Sequence, residues 1–292
     1  MKKFTIAGIG ELLWDVLPGN EVLGGAPVNF AYHVTALGER GIPVSTIGRD
    51  FRGEKALVEL QNRGVDIGAI SRSEDFATGY VTATLDKEGK ATYLFPEEVA
   101  WDHLLVNEYA ENLRSELDAV CFGSLAQRSE HARRAIHGFL DMLSGETVKV
   151  FDINLRQDYF SRQVIEFSLK QTDILKLNEE ELPVLASLLE LKGPGDTWLS
   201  ALIEKYHLEM AILSRGDKGS LLVTQDLFSE HSGIITHVED TIGAGDAFTA
   251  AVTIGYLRGM ALEDINEQAN RIAAYVCSQQ GAMPLMPEFL GK

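Results

Sequence analysis

Short apolar runs rich in β-branched residues alternate along this chain with longer stretches of helical period, and that alternation points to parallel βαβ construction. Parallel strands cannot be joined by a tight turn, so each pair requires a long crossover, usually a helix. The runs Phe4 to Ile9, Val44 to Ile47, Ala119 to Phe122, Val148 to Asp152, Ile174 to Leu177 and Met210 to Leu213 read as buried strands. Between them Pro27 to Leu37 and Glu130 to Leu143 read as helices, the first opened by Pro27 and stopped by Gly38. No proline- or serine-rich linker, charge block or fixed repeat divides the 292 residues, so a single α/β domain is expected.

One stretch breaks the rhythm. Gly79 to Phe95 alternates with period two around a glycine-containing turn, the pattern of a β-hairpin. It reads either as an antiparallel edge of the main sheet or as a flap standing over the site where strand ends converge.

Charge narrows the partners. With 26 Lys and Arg against 43 Asp and Glu, the chain carries a formal −17, which opposes nucleic-acid binding but leaves room for a local pocket that takes one small anion. Cys121 and Cys277 are too few and too far apart for a disulfide framework or a zinc site; they read as core residues of a reduced, cytoplasmic protein. The apolar stretch after Met1-Lys2-Lys3 is broken by Gly8, Gly10 and Glu11, so neither a signal peptide nor a membrane span is expected. His131 and His137 are six apart, the wrong spacing for shared metal ligation on a helix.

Familiar nucleotide motifs are missing. There is no G-x-x-x-x-G-K-[ST], and Gly8-Ile-Gly10-Glu-Leu-Leu13 has leucine where a dinucleotide fingerprint needs its third glycine. The strong signal lies in Asp240-Thr-Ile-Gly243-Ala244-Gly245-Asp246-Ala-Phe-Thr-Ala-Ala251, where small residues precede a helical run with Ala247, Ala251 and Ile254 on one face. Such a helix start offers unpaired N–H groups and the positive end of the dipole to an anion. Asp246, in the first turn, either complements the dipole or serves as the base that takes a hydroxyl proton during phosphoryl transfer. A second glycine pair, Gly24-Gly25, precedes Ala26-Pro27-Val28-Asn29, where a polyol can approach the backbone and Asn29 offers both donor and acceptor. Asp15, just after the first strand, is a sugar clamp or a turn former.

These two segments resemble the two signatures of the PfkB (ribokinase-like) carbohydrate kinase family. The resemblance spans the chain: Ile47-Gly48-Arg-Asp50-Phe-Arg-Gly53, Asp152-Ile-Asn154-Leu-Arg156, Lys176-Leu-Asn178-Glu-Glu-Glu181 and Ser214-Arg-Gly216-Asp-Lys-Gly219 follow in the family's order. The opening Gly-Glu-Leu-Leu-Trp-Asp and the stretch Tyr-Leu-Phe-Pro-Glu-Glu-Val-Ala-Trp-Asp are most similar to the bacterial fructokinase branch.

The resemblance implies a three-layer α/β/α sandwich with a mostly parallel central sheet, and a small β-lid from roughly 12–24 and 78–101. It implies an ATP-dependent kinase acting on a hydroxymethyl group, fructose being the first acceptor, with 2-keto-3-deoxygluconate, ribose or a nucleoside as alternatives. Asp246 would be the base, and Gly243, Ala244 and Gly245 the anion hole. Asp15, Gly24, Gly25 and Asn29 would hold the sugar. Arg156 and Lys176 would bring positive charge to the phosphates, while Asn178, Ser214, Gly216, Gly219 and Asn270 would line the nucleotide. Ser214 stands where the family usually has threonine, which keeps the hydroxyl. Glu181, which with Asn178 matches the family's N-x-x-E motif, would act on Mg²⁺ through water, and Asp240 with the Ile242 backbone would match a monovalent cation site for K⁺. Lids of the family often pair two subunits, and the alternating Tyr80, Thr82, Thr84 face could do so. A sugar-binding regulatory protein without activity is the reading from another class.

Overall fold

The computed structural model describes residues 3–17, 19–85 and 91–287. Strand β1 (Thr5–Ile9) is followed by two short strands, β2 (Leu13–Leu17) and β3 (Asn20–Gly24), before helix α1 (Ala26–Ala36) returns the chain to β4 (Arg40–Gly48). Helix α2 (Phe51–Asn62) leads to β5 (Ile70–Ser73), and the pair β6 (Gly79–Leu85) and β7 (Ala91–Leu94) follows. Then come α3 (Glu108–Leu113), β8 (Ala119–Phe122), α4 (Glu130–Asp141), β9 (Val148–Asp152), α5 (Arg162–Lys170), β10 (Ile174–Asn178), α6 (Glu181–Leu188), α7 (Trp198–Tyr206) and β11 (Met210–Ser214). A hairpin of β12 (Ser220–Val223) and β13 (Phe228–His231) precedes the last two helices, α8 (Ala244–Leu257) and α9 (Leu262–Cys277).

Nine strands form the main sheet in the order β13-β12-β11-β10-β9-β8-β1-β4-β5. From β11 to β5 all neighbours are parallel, and only the β12 and β13 edge runs antiparallel. Consecutive residues of a strand point to opposite faces, so each central strand feeds two cores. Ile6, Cys121, Val150 and Ile174 enter the core built with α1, α8 and α9, whereas Ala7, Phe122, Phe151 and Leu175 enter the one built with α4, α5, α6 and α7. Each fully buried Ile, Leu or Phe there contributes roughly 1.5–3 kcal/mol. The result is the expected α/β/α sandwich. Helix α8 is buried over most of its length between α1 and α9, and a Cβ on Gly255 would come within 2.9 Å of Ile265, which shows how closely α8 and α9 approach.

The chain runs outward from β1 through β4 to β5, then returns to the other side of β1 for β8 and continues to β11. The direction of winding therefore reverses between β1 and β8. In open parallel sheets, ligands bind outside the carboxyl ends of the strands at such a switch point.

The period-two hairpin joins neither edge of the main sheet. It forms a separate four-stranded sheet, β3-β2-β6-β7, in which β2 and β6 pair in parallel across a long sequence gap. Its turn, 86–90, lies outside the described residues. At the sheet's root, the buried guanidinium of Arg128 donates to both carboxylate oxygens of Asp102 at 2.7 Å and to the Pro96 carbonyl, and lies 4.0 Å from the centre of the Trp101 ring. On its other side, the Tyr80 ring carries Arg52 at 4.5 Å. Tyr80 thus packs beneath α2's Arg52, and the side chain of Thr84 lies outside the described residues.

Among the described residues, no helix is long and apolar enough to cross a membrane. Cys121 is buried as expected, but Cys277 is half-buried and faces a cleft. Both thiols are free.

Candidate active site

A cleft of about 1340 Å³ opens along the carboxyl ends of β1, β9, β10 and β11, with Leu13, Asp15 and Val81 of the small sheet on its far wall. That volume exceeds a typical single-ligand pocket of roughly 300–1,000 Å³, so two substrates can lie end to end.

Gly243 caps α8 in the left-handed region, with φ 78°. A side chain there would be strained twice over: by φ, and by a Cβ only 2.5 Å from the Ala282 carbonyl oxygen. The amides of Ala244, Gly245 and Asp246 follow in the first turn, where N–H groups lack intrahelical partners and favour an anion. Beneath that turn lies a buried cation. Lys176 Nζ is 2.9 Å from Asp152 Oδ1 and would sit 3.3 Å from a Cβ on Gly245, while Thr249 of α8 donates to Asp152 Oδ2 at 3.0 Å. Burial alone would pull the lysine down, but the carboxylates of Asp152, Glu181 and Asp246 outweigh it and raise its pKa.

Asp246 lies at the junction of the two halves of the cleft. Asn29 Nδ2 donates to its Oδ2 at 2.8 Å, and burial, with Asp152 adding to it, pushes its pKa up to about 6. Asn29, Lys176 and Arg156 pull the other way. The group is therefore ionised at neutral pH yet close to its own pKa, which suits a general base.

Around it stand the residues expected to hold a sugar. Gly25, with φ 109°, lets the backbone pass where a Cβ would be 2.4 Å from the Glu11 carbonyl. Asp15 lies within β2, not in a turn, and its Oδ2 occupies space that a Cβ on Gly24 would contest at 2.8 Å. Burial raises its pKa to about 6. Glu11 belongs to the same group although no sequence motif assigned it a role. It is only 2% exposed, its Oε1 accepts the Ala26 amide at 3.3 Å, and burial raises it to about 7. Asp152, Asn154 and Thr249 were likewise unassigned; Asn154 lines the cleft with a left-handed backbone, φ 42°. The signal for both Asp152 and Asn154 is the family segment Asp152-Ile-Asn154-Leu-Arg156, which begins at the last residue of an expected strand.

The residues expected to line a nucleotide are brought together with different structural tasks. Glu181 accepts the amides of Leu155 at 2.9 Å and Asn178 at 2.8 Å, and Asn178 Oδ1 accepts those of Glu180 and Glu181 at 2.9 Å. These reciprocal bonds brace the turn that leads into α6 and tie down the loop that carries Arg156. Arg156 is exposed in the cleft, and its charge works to lower the pKa of Glu11, Asp15 and Asp246 alike. Ser214, Gly216 and Gly219 line the turn after β11. Asn270 borders the cleft, but its amide nitrogen donates inward to Ser220 Oγ at 2.7 Å and to Asn266. Asp240 accepts the amides of Ile242 at 3.0 Å and Gly281 at 3.1 Å, and so ties the loop before α8 to the turn after α9.

No three His, Cys, Asp or Glu side chains among the described residues cluster so as to hold a metal directly. Since both Glu181 oxygens already accept backbone amides, the donor set suits an ion held by phosphates and water.

A buried carboxylate near its pKa beside a helix end open to an anion, with a buried cation below it, is an arrangement suited to phosphoryl transfer to a hydroxyl. The chain belongs to the pfkB family of carbohydrate kinases, whose sequence profile matches residues 15–288. It is a sugar kinase, a phosphotransferase with an alcohol acceptor. A sugar kinase of Pyrococcus horikoshii, itself uncharacterized, is 31% identical, the match covering 95% of this chain and 91% of the relative. A fructokinase of Salmonella typhimurium is 28% identical over 96% of this chain and 95% of its own length. The Pyrococcus crystal structure matches at 28% identity with a TM-score of 0.84, covering 96% of this chain and 93% of that one. A fructokinase of Xylella fastidiosa solved with bound ATP shares the fold, with a TM-score of 0.84 at 21% identity, covering 98% of this chain and 96% of that one.

Proposed function

We propose that the protein transfers the γ-phosphoryl group of ATP to the hydroxymethyl group of a neutral monosaccharide, fructose first among them. The carrying observation is Asp246, held by Asn29 at 2.8 Å in the first turn of the helix whose N-terminus is the anion site. Asp246 takes the hydroxyl proton as the sugar oxygen attacks phosphorus, and ADP leaves with the electron pair of the broken bond. Gly243 to Gly245 amides, Lys176 and Arg156 meet the charge that develops on the phosphoryl oxygens. Bound Mg²⁺ would neutralise the phosphates, with Glu181 touching it through water, and K⁺ would sit by Asp240 and the Ile242 backbone. The small sheet acts as a lid, with Leu13 and Val81 turned toward the cleft to exclude water.

ATP use is supported by the ATP complex of the Pyrococcus relative, which is 28% identical to this chain. The acceptor's neutrality is supported by charge. Glu11, Asp15 and Asp246 line that end of the cleft, and Arg156 is its exposed cation among the described lining residues. A phosphorylated or carboxylated sugar would meet Asp15 and Asp246, both ionised at neutral pH, and like-charge juxtaposition is costly.

An acceptor panel with ATP and Mg²⁺ tests this. Fructose should give the highest kcat/KM, with fructose 6-phosphate and 2-keto-3-deoxygluconate lower by about ten-fold or more. A higher value for ribose or a nucleoside would reassign the acceptor, and the failure of every sugar to elicit ADP release would favour a binding protein.

The pH profile carries a second expectation. Because Asp246 is raised to about 6, with Asp15 and Glu11 nearby at about 6 and 7, the acid limb of kcat/KM should fall between pH 6 and 7. Protonation removes the base, so activity is lost as pH drops. A profile flat down to pH 5 would rule out this assignment.

A further inference from the structure

Helix α1 presents two polar side chains on one face, one turn apart. Asn29 holds the base, and His33 holds something else: its Nε2 lies 2.9 Å from the carbonyl oxygen of Ala282. A carbonyl only accepts, so Nε2 carries the ring's proton. His33 is 0% exposed, Nδ1 has no partner, and burial lowers its pKa to about 4, so near neutral pH the ring is uncharged and keeps this tautomer.

The significance of the bond lies in what Ala282 touches. Gly243, the cap of the anion-binding helix, packs so tightly on Ala282 that a Cβ would meet its oxygen at 2.5 Å and its Cα at 2.7 Å. The preceding residue, Gly281, donates to Asp240 at 3.1 Å, and Tyr32, next to His33 on α1, donates to Pro284. The turn after α9 is therefore clamped between α1 and the start of α8.

We infer that His33 is a positioning residue for phosphoryl transfer: by holding Ala282 against Gly243, it keeps the first turn of α8 aligned with the base that Asn29 holds from the same helix face. The inference rests on the kinase reading above. One helix thereby sets both the proton acceptor and the anion site, whose relative placement governs transfer. Misplacement by about 1 Å can cost on the order of 10²-fold in rate.

Two substitutions test it. His33→Leu removes the donor, and His33→Gln keeps an N–H of similar reach. With the best acceptor of the panel, His33→Leu should lower kcat by about 10- to 10²-fold while KM for sugar and ATP stays within about three-fold, and His33→Gln should recover kcat to within about three-fold of wild type. Thermal midpoints are recorded in parallel. A leucine variant that loses only thermal stability, or a glutamine variant as slow as the leucine one, would show that the bond serves the fold alone and overturn the inference. Should the leucine variant not fold, His33→Asn, whose amide is too short to reach Ala282, replaces it: slow turnover beside a fast glutamine variant supports positioning, and equal turnover overturns it. Failure of the kinase reading looks different, because the wild type would then release no ADP with any sugar.

Discussion

Replacing Asp246 with asparagine is expected to lower kcat by about 10²- to 10⁴-fold, with sugar and ATP still bound and the fold intact. The asparagine has the shape of the aspartate and can still pair with the Asn29 amide that now donates at 2.8 Å. It cannot accept a proton. Stability should not suffer, because burial has already raised the aspartate's pKa to about 6 and an uncharged amide is easier to bury. The measurement is steady-state kinetics across the acceptor panel, with calorimetric sugar binding as the check on the site. Near-normal turnover would remove Asp246 from the role of base and leave it the plainer one of complementing the dipole of α8.

The helix start that carries this aspartate was legible in the sequence because it is local, whereas Asn29, which holds the carboxylate, lies 217 residues away. Small residues, a helix start and an acid in the first turn occupy consecutive positions, and local geometry follows from local sequence. Strand Ala119–Phe122 was legible for a similar reason, a strand buried on both faces being a continuous apolar run, and Val148–Asp152 keeps apolar residues at 148, 150 and 151. Strand β4 runs from Arg40 to Gly48, well beyond the expected Val44 to Ile47. Its buried Ser45 and Thr46 are satisfied by Gly10 and Leu105, partners that no periodicity displays. The second sheet was half visible. Its hairpin has period two, but β2 finds β6 across more than sixty residues, and such pairing is set by packing. Glu11 was missed because an acid after a strand is ordinarily solvated, and here the Gly24-Gly25 loop and α1 close over it.

The Lys176–Asp152 pair was invisible as a pair for the same reason, and its removal is the second large effect. The two residues stand directly opposite each other on β10 and β9 and face α8, where both are buried. Lys176→Met leaves Asp152 with the Thr249 hydroxyl as its remaining side-chain partner, and breaking a buried ion pair in this way costs about 3–5 kcal/mol. The same change withdraws the cation beneath Gly245 and one of the influences that hold down the pKa of Asp246, so turnover should fall by about 10²-fold or more. Adding Asp152→Asn separates the two consequences. The double variant no longer buries an unpaired charge, so its urea midpoint should return most of the way to wild type, yet without the lysine it should remain as slow as the single variant. A double variant that recovered both would mean that Lys176 serves only the fold; a single variant as stable as wild type would mean that water reaches Asp152 and solvates its charge.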